Sequence, residues 1–239
     1  FKQKTAYEIS TRDWSSDVCS SDLAGSTILA VRKNWALARI LNSGISICDS
    51  AVLATYLSCV GSRIRNFRGT DFLRYVIQND EGKKNHFFIF PNQGTEHSVI
   101  KKIREDNPNF QIAGSFVSSI SDDVSKLIDE WESSINFSET DFIWIGIGSP
   151  KQDICAMELY KRSGVASIAI GAALEFYGQT RREAPAWVQN MRMEWFFRLI
   201  TDYRRLWKRY TFGNLILCYA LVEDFLDRRF LRRHSVRNV

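Results

Sequence analysis

The chain of 239 residues has no apolar run approaching the length of about eighteen residues that a membrane-spanning helix needs. The longest candidate, Leu215 to Val222, is too short. Its five cysteines (Cys19, Cys48, Cys59, Cys155 and Cys218) are odd in number and scattered without C-x-x-C spacing. Neither a disulfide framework nor a zinc site is suggested, and a reduced, cytoplasmic setting is expected. There is no apolar h-region of a signal peptide, no internal repeat and no D-x-D motif; Asp122-Asp123 reads as a charged helix start. Strand motifs with stacking aromatics and KH-type glycine loops are also missing, which argues against RNA as a partner.

What is present is ordinary globular material, 45% hydrophobic, with room for one sizeable α/β domain and an appendage. Charge is uneven. Residues 181 to 239 hold 13 Lys+Arg against 6 Asp+Glu, a surplus of 7 in a chain whose total is +5, so the remainder carries −2. A basic tail interleaved with Trp195, Phe196, Trp207, Tyr210 and Phe212 suits an anionic bilayer surface or diphosphate groups, and equally a helix packed on its own core.

Organisation follows from periodicity. Residues 1–23 show neither helical nor strand period and are expected to be non-native or disordered. They also resemble a translated sequencing-adapter artefact, which implies that the genuine N-terminal sequence is lost. Residues 24–183 read as an α/β core. A helix is expected over Ile28–Leu41, a strand over Ile45–Cys48, and helices over Ala51–Val60 and Asp71–Gln78 with Thr70 as N-cap. Strand His86–Phe90 ends at the turn PNQG and helix Glu96–Asp106 follows. Strand Phe110–Ala113 leads to a helix capped by Ser121 and ending near Glu132. The strand from Phe142, helix Ile154–Ser163 and strand Ala166–Ile170 complete the alternation. Such alternation predicts a Rossmann-like, mostly parallel sheet with covering helices, and from about Ala184 to residue 239 the pattern is purely helical.

The richest stretch is FIWIGIGSPKQD, Phe142 to Asp153, a strand covered on both faces that stops on a glycine-containing turn. Exits of this kind are where open α/β sheets hold ligands. Gly146 and Gly148 allow close approach, Pro150 suits the first turn of a helix, and Lys151 and Gln152 fall at the mouth of a pocket. A second exit, GAALEFYGQTRREAP, begins at Gly171; its Arg181 and Arg182 are candidates for phosphate contact or plain surface residues.

GSPKQD, GQTRREAP, the EWFFRL block and the RRLWKRY tail, in that order, resemble the WecG/TagA/CpsF glycosyltransferases, glycosyltransferase family 26. The resemblance covers roughly Ile40 to Phe225. It implies an inverting hexosyltransferase, N-acetylmannosaminyltransferase-like, moving a sugar from a UDP-sugar to a polyprenyl-diphosphate-linked saccharide in cell-envelope polysaccharide synthesis. Such an enzyme would be peripheral on the cytoplasmic face of an anionic membrane, and a homo-oligomer is compatible with it. Asp49, at the end of ISICDS, matches the family's catalytic base, although Ser50 stands where the family has glycine; capping the next helix is the other reading. Gln152 and Lys151 fall with Gly148 on the donor side, Gly69 in RGTDF matches a glycine of the G-x-D-L segment, and Asp153 replaces a glutamate. Arg198, Arg205 and Lys208 correspond to cations that close over the donor diphosphate once the appendage docks, at spacings 0, 7 and 10 along one stripe. Fixed cations can steady a departing UDP as a divalent ion would, so no metal or organic cofactor is expected. The rival readings are a catalytically inactive homologue and a basic membrane-surface binding protein.

Overall fold

The computed structural model describes residues 18–20, 45–46, 51–59 and 67–185, with 187–188, 191, 193–201, 219 and 222–223 beyond them. Six strands form one sheet: β1 (Val18–Ser20), β2 (Ile45–Ser46), β3 (Asn85–Phe90), β4 (Gln111–Val117), β5 (Phe142–Ile145) and β6 (Ala166–Ala169). Their order is β2-β1-β6-β5-β3-β4, and every pair is parallel. The helices are α1 (Ala51–Cys59), α2 (Gly69–Asn79), α3 (Gln93–Asp106), α4 (Val124–Glu132), α5 (Lys151–Ser163), α6 (Ala173–Tyr177) and α7 (Glu194–Thr201).

The central strands are mostly apolar because both faces are covered, and successive side chains feed opposite layers. Phe88, Phe90, Trp144 and Ile168 pack beneath α2, α3 and α6, which contribute Phe72, Leu73, Ile77, Val99, Ile103, Leu174 and Tyr177. Phe87, Ile89, Ile143, Ile145 and Ala169 face α4 and α5, which contribute Leu127, Ile128, Trp131, Cys155, Ala156 and Leu159. The predicted Rossmann-like α/β class is what the chain builds.

Among the described residues, every buried polar side chain at the N-terminal edge of the sheet has a partner. His86, 1% exposed, stacks between Phe110 and Phe142 at centroid distances of 4.2 and 5.2 Å. Trp144 Nε1 donates to His86 Nδ1 at 3.0 Å, so the proton sits on Nε2, which donates to Asp80 Oδ2 at 2.7 Å. Burial pushes the His86 pKa down against the pull of Asp80. Burial alone would raise the Asp80 carboxyl, but the hydrogen bond from His86 and the backbone N–H groups of Lys83 and Gly82 outweigh it and hold the pKa below the usual range. Asp141 accepts from Asn85 N at 2.8 Å and from Lys84 Nζ at 2.9 Å.

Several boundaries depart from expectation. Val18–Ser20 is not disordered: it lies inside the sheet, pairing with Ser167–Ala169 on one side and Ile45–Ser46 on the other. A slot between two parallel neighbours satisfies the backbone of any short extended segment, and Val-Cys-Ser carries no side chain that resists it. The remainder of residues 1–23 and the predicted helix Ile28–Leu41 lie outside the described residues. Helix α2 starts at Gly69 with Arg68 at the N-cap position, so Thr70 is inside it. Helix α3 starts at Gln93, three residues early, because Asn92 accepts from Thr95 N at 2.9 Å and turns PNQG into a helix start. Asp123, not Ser121, caps α4, taking Ser125 N at 3.0 Å. Strand β4 continues to Val117, α5 begins at Lys151 directly after Pro150, and α6 was not anticipated.

Candidate active site

Helix α3 leaves β3 toward one face of the sheet, whereas α5 leaves the adjacent β5 toward the other. Between their carboxyl ends the chain direction splits, the place where open α/β sheets leave a crevice for ligands. At this point β3 runs into Asn92 and the first turn of α3, and β5 into the turn from Gly146 to α5.

That turn is held by Gln152. Its Oε1 accepts from Gly148 N at 3.0 Å, and Gln152 N closes the first bond of α5 onto Gly148 O at 3.1 Å. Gly148 has φ +98, which suits glycine and permits the reversal. Across from it, the β6 exit passes so near that a Cβ at Gly171 would lie 3.2 Å from both Nε2 and Oε1 of Gln152. Gln152 is fully buried, yet among the described residues its Nε2 has no hydrogen-bond acceptor. An unpaired buried donor costs about 1–3 kcal/mol.

The neighbouring side chains are already engaged. Lys151, expected at the mouth of the pocket, reaches the β4–α4 loop instead: Nζ donates to Ser121 O at 2.5 Å and to Asp122 Oδ1 at 2.7 Å. The hydrogen bond from Lys151 lowers the Asp122 pKa, although Asp122 is fully exposed. Asp153 is buried and accepts from Ser149 Oγ at 2.7 Å, bracing the turn from the first turn of α5. Cys155 offers no nucleophile; burial pushes its thiol up to about 12.

Gly69 lies on the other face, at the start of α2, and is buried. The preceding Arg68 forks onto Asp71 through two 2.8 Å bonds and reaches Glu183 Oε1 at 2.9 Å. The structure therefore brings Gly148, Gln152 and Gly171 together where the chain direction splits, pairs Lys151 with the β4–α4 loop, and leaves Gly69 on the other face. Asp49, Arg205 and Lys208 lie outside the described residues; Arg198 is on α7, and its side chain is outside them too. Ser149 and Asn92 were missed by sequence reasoning. Asn92 was readable as an N-cap, whereas no sequence signal marks the Ser149 to Asp153 bond.

The sequence profile of the glycosyl transferase WecG/TagA/CpsF family matches residues 12–231. The chain belongs to that family. Among curated relatives, an N-acetylglucosaminyldiphosphoundecaprenol N-acetyl-beta-D-mannosaminyltransferase of Bacillus subtilis is 28% identical over 163 residues, covering 62% of this chain and 59% of the relative. The enzyme of the same name from Bacillus spizizenii is 26% identical over 140 residues, 58% of this chain and 52% of its own. A third, from Staphylococcus aureus, is 26% identical over 73 residues, 30% of this chain and 29% of the relative. The chain thus matches between about half and six-tenths of the length of the first two relatives. Membership in the WecG/TagA/CpsF family bears out the motif resemblance and makes a sugar-transfer site the reading against which the crevice is judged.

Proposed function

We propose that this protein is the core of an inverting glycosyltransferase of cell-envelope polymer synthesis, transferring a hexose from a UDP-sugar to a polyprenyl-diphosphate-linked saccharide. The observation that carries this reading is Gln152, whose unpaired Nε2 is buried at the switch-point crevice beside the open turn at Gly148. Its amide offers a fixed donor to a polar atom of a nucleotide sugar, and the turn before α5 brings the backbone within reach of its phosphates. The names of the relatives support the acceptor class and an N-acetylmannosamine donor.

In the reaction, an acceptor hydroxyl attacks the anomeric carbon as the bond to UDP breaks. The hydroxyl proton passes to the carboxylate of Asp49, and the configuration at that carbon inverts. Arg198, Arg205 and Lys208 would balance the charge gathering on the departing diphosphate. Exposed Trp187, Met191, Phe196 and Ile200 support contact of the appendage with the cytoplasmic membrane surface. Among the described residues no helix is long and apolar enough to cross a membrane.

The test is transfer from UDP-N-acetylmannosamine to an N-acetylglucosaminyl-diphospho-lipid, read as UDP release and the anomeric configuration of the product. A β-linked disaccharide, with the rate falling about 10²–10⁴-fold in Asp49→Asn, is the expected result. No UDP release from any UDP-hexose would leave a non-catalytic homologue, and an α-linked product would overturn inversion.

A further inference from the structure

A second concavity lies away from the crevice, on the outer flank where α6 rests in the groove between α2 and α3. It has a volume of about 300 Å³, at the small end of pockets that hold small molecules. Arg74 of α2, Lys102 of α3, and Arg181 and Arg182 of the segment after α6 line it, against one lining carboxylate, Glu183. Its floor is Phe176 and Tyr177, and cations lie over both rings: Lys102 Nζ is 5.6 Å from the Tyr177 centroid and the Arg181 guanidinium carbon 5.8 Å from that of Phe176.

Three of the four cations are held by carboxylates, Arg74 also by Glu183 of the lining at 3.8 Å. Arg74 Nη1 meets Asp71 at 3.2 Å, Lys102 meets Asp106 at 3.4 Å and Arg181 meets Glu175 at 3.0 Å. These partners reduce the field in the cavity, but they also fix the cations in place, so a ligand need not order long side chains itself. Arg182 is exposed and makes no ion pair among the described residues. Gln179, also in the lining, has φ +58, a left-handed backbone that a non-glycine residue adopts at a cost and that recurs where ligands are clamped. Tyr177 OH is occupied by Asp106 at 2.8 Å, and the other polar residues of the lining are the four cations, Gln179 and Glu183.

We propose that this cavity binds a small soluble phosphate ester of about the size of a hexose phosphate, at a site separate from the sugar-transfer crevice. Convergent fixed cations supply charge-assisted hydrogen bonds to the phosphate, and Gln179 with the aromatic floor faces the ester. The separation is structural: the cavity draws on α2, α3 and α6, whereas Gln152 and Gly148 belong to α5 and the turn before it. Because α6 starts two residues after Gly171, which lies against Gln152, an occupant of the cavity bears on the element next to that turn.

The experiment is calorimetric titration of the full chain with glucose 1-phosphate and with inorganic phosphate, in the presence of saturating UDP, using wild type and the double variant Lys102→Gln, Arg182→Gln. Arg182 is exposed and Lys102 half-buried, so retention of the fold in the double variant is checked by thermal melting. Binding of the ester that survives saturation with UDP and weakens about tenfold or more in the double variant is expected. No binding at millimolar ester, displacement by UDP, or equal affinity in the double variant would each overturn the site. If phosphatidic acid vesicles bind through these two cations while glucose 1-phosphate does not, a lipid headgroup is the ligand and the soluble-ester proposal fails. Absence of UDP binding would count against the transfer reading alone, since the ester titration still reports on the cavity.

Discussion

The two edges of the sheet differ in how they treat buried polar groups. At the N-terminal edge, Trp144 donates to His86 and His86 to Asp80, while Asp141 accepts from Asn85 N and Lys84 Nζ, so each of these groups is paired. At the C-terminal edge, Gln152 spends its oxygen on Gly148 and leaves its nitrogen without an acceptor. A closed network rigidifies a core, while an unpaired donor is a cost the fold carries until something else supplies the acceptor. Stability is therefore concentrated at one edge and binding capacity at the other, on strands only a few residues long.

The largest test of that division is His86→Leu. It leaves the Trp144 N–H and the Asp80 carboxylate without their buried partner, so unfolding free energy should drop by about 3–5 kcal/mol in denaturant melts. UDP affinity per folded molecule should stay at the wild-type value; a parallel loss of both would show that the edges are not independent.

Gln152→Leu is the mirror experiment. It removes the unpaired N–H together with the bond to Gly148 N, two changes of opposite sign, so stability should move by less than about 1 kcal/mol. UDP-sugar affinity should fall about tenfold. A collapse in stability with unaltered affinity would make Gln152 a structural brace only.

Acid separates the edges by a different route. The His86 pKa is lowered in the folded state, so its contribution is full above the unfolded value of about 6.5 and declines as pH falls below it. The Asp80 pKa is lowered as well, so its contribution is present above about 3.8 and is lost as pH falls further through the folded value. Both act in the same direction. Melting temperatures measured from pH 7 downward should decline first near pH 6.5 and again below pH 4, and His86→Leu should abolish the first decline. The smallest effect belongs to Ser149→Ala, which removes one hydrogen bond to Asp153 and should cost about 0.5–1.5 kcal/mol, with a modest rise in the KM for the donor.

How much of this was legible depends on how local the cause is. Strands β3, β5 and β6 were placed within a residue because continuous apolar runs between turn residues have few other homes in an α/β protein. The association of Gly148 with Gln152 was readable for the same reason, since four residues of one turn connect them. The start of α3 was not, because Pro91-Asn92-Gln93-Gly94 satisfies a turn and a capped helix equally until Thr95 N is seen on Asn92. The partners of Lys151 were not readable because Ser121 and Asp122 arrive from a loop about thirty residues earlier. Strand β1 escaped notice because three residues cannot display a period; its position comes from the slot its neighbours leave.

The place of Val18–Ser20 inside the sheet also bears on the order of assembly. Strands β3 to β6 follow one another in the chain and can associate as they leave the ribosome, but the partner of β1, Ser167–Ala169, is made near the end of the core. At about 5–20 residues per second, β1 waits roughly ten to thirty seconds for it. The sheet is thus completed from its interior only late in synthesis, and until then β1, with β2 on one side, keeps its other edge open to a strand from any neighbouring chain.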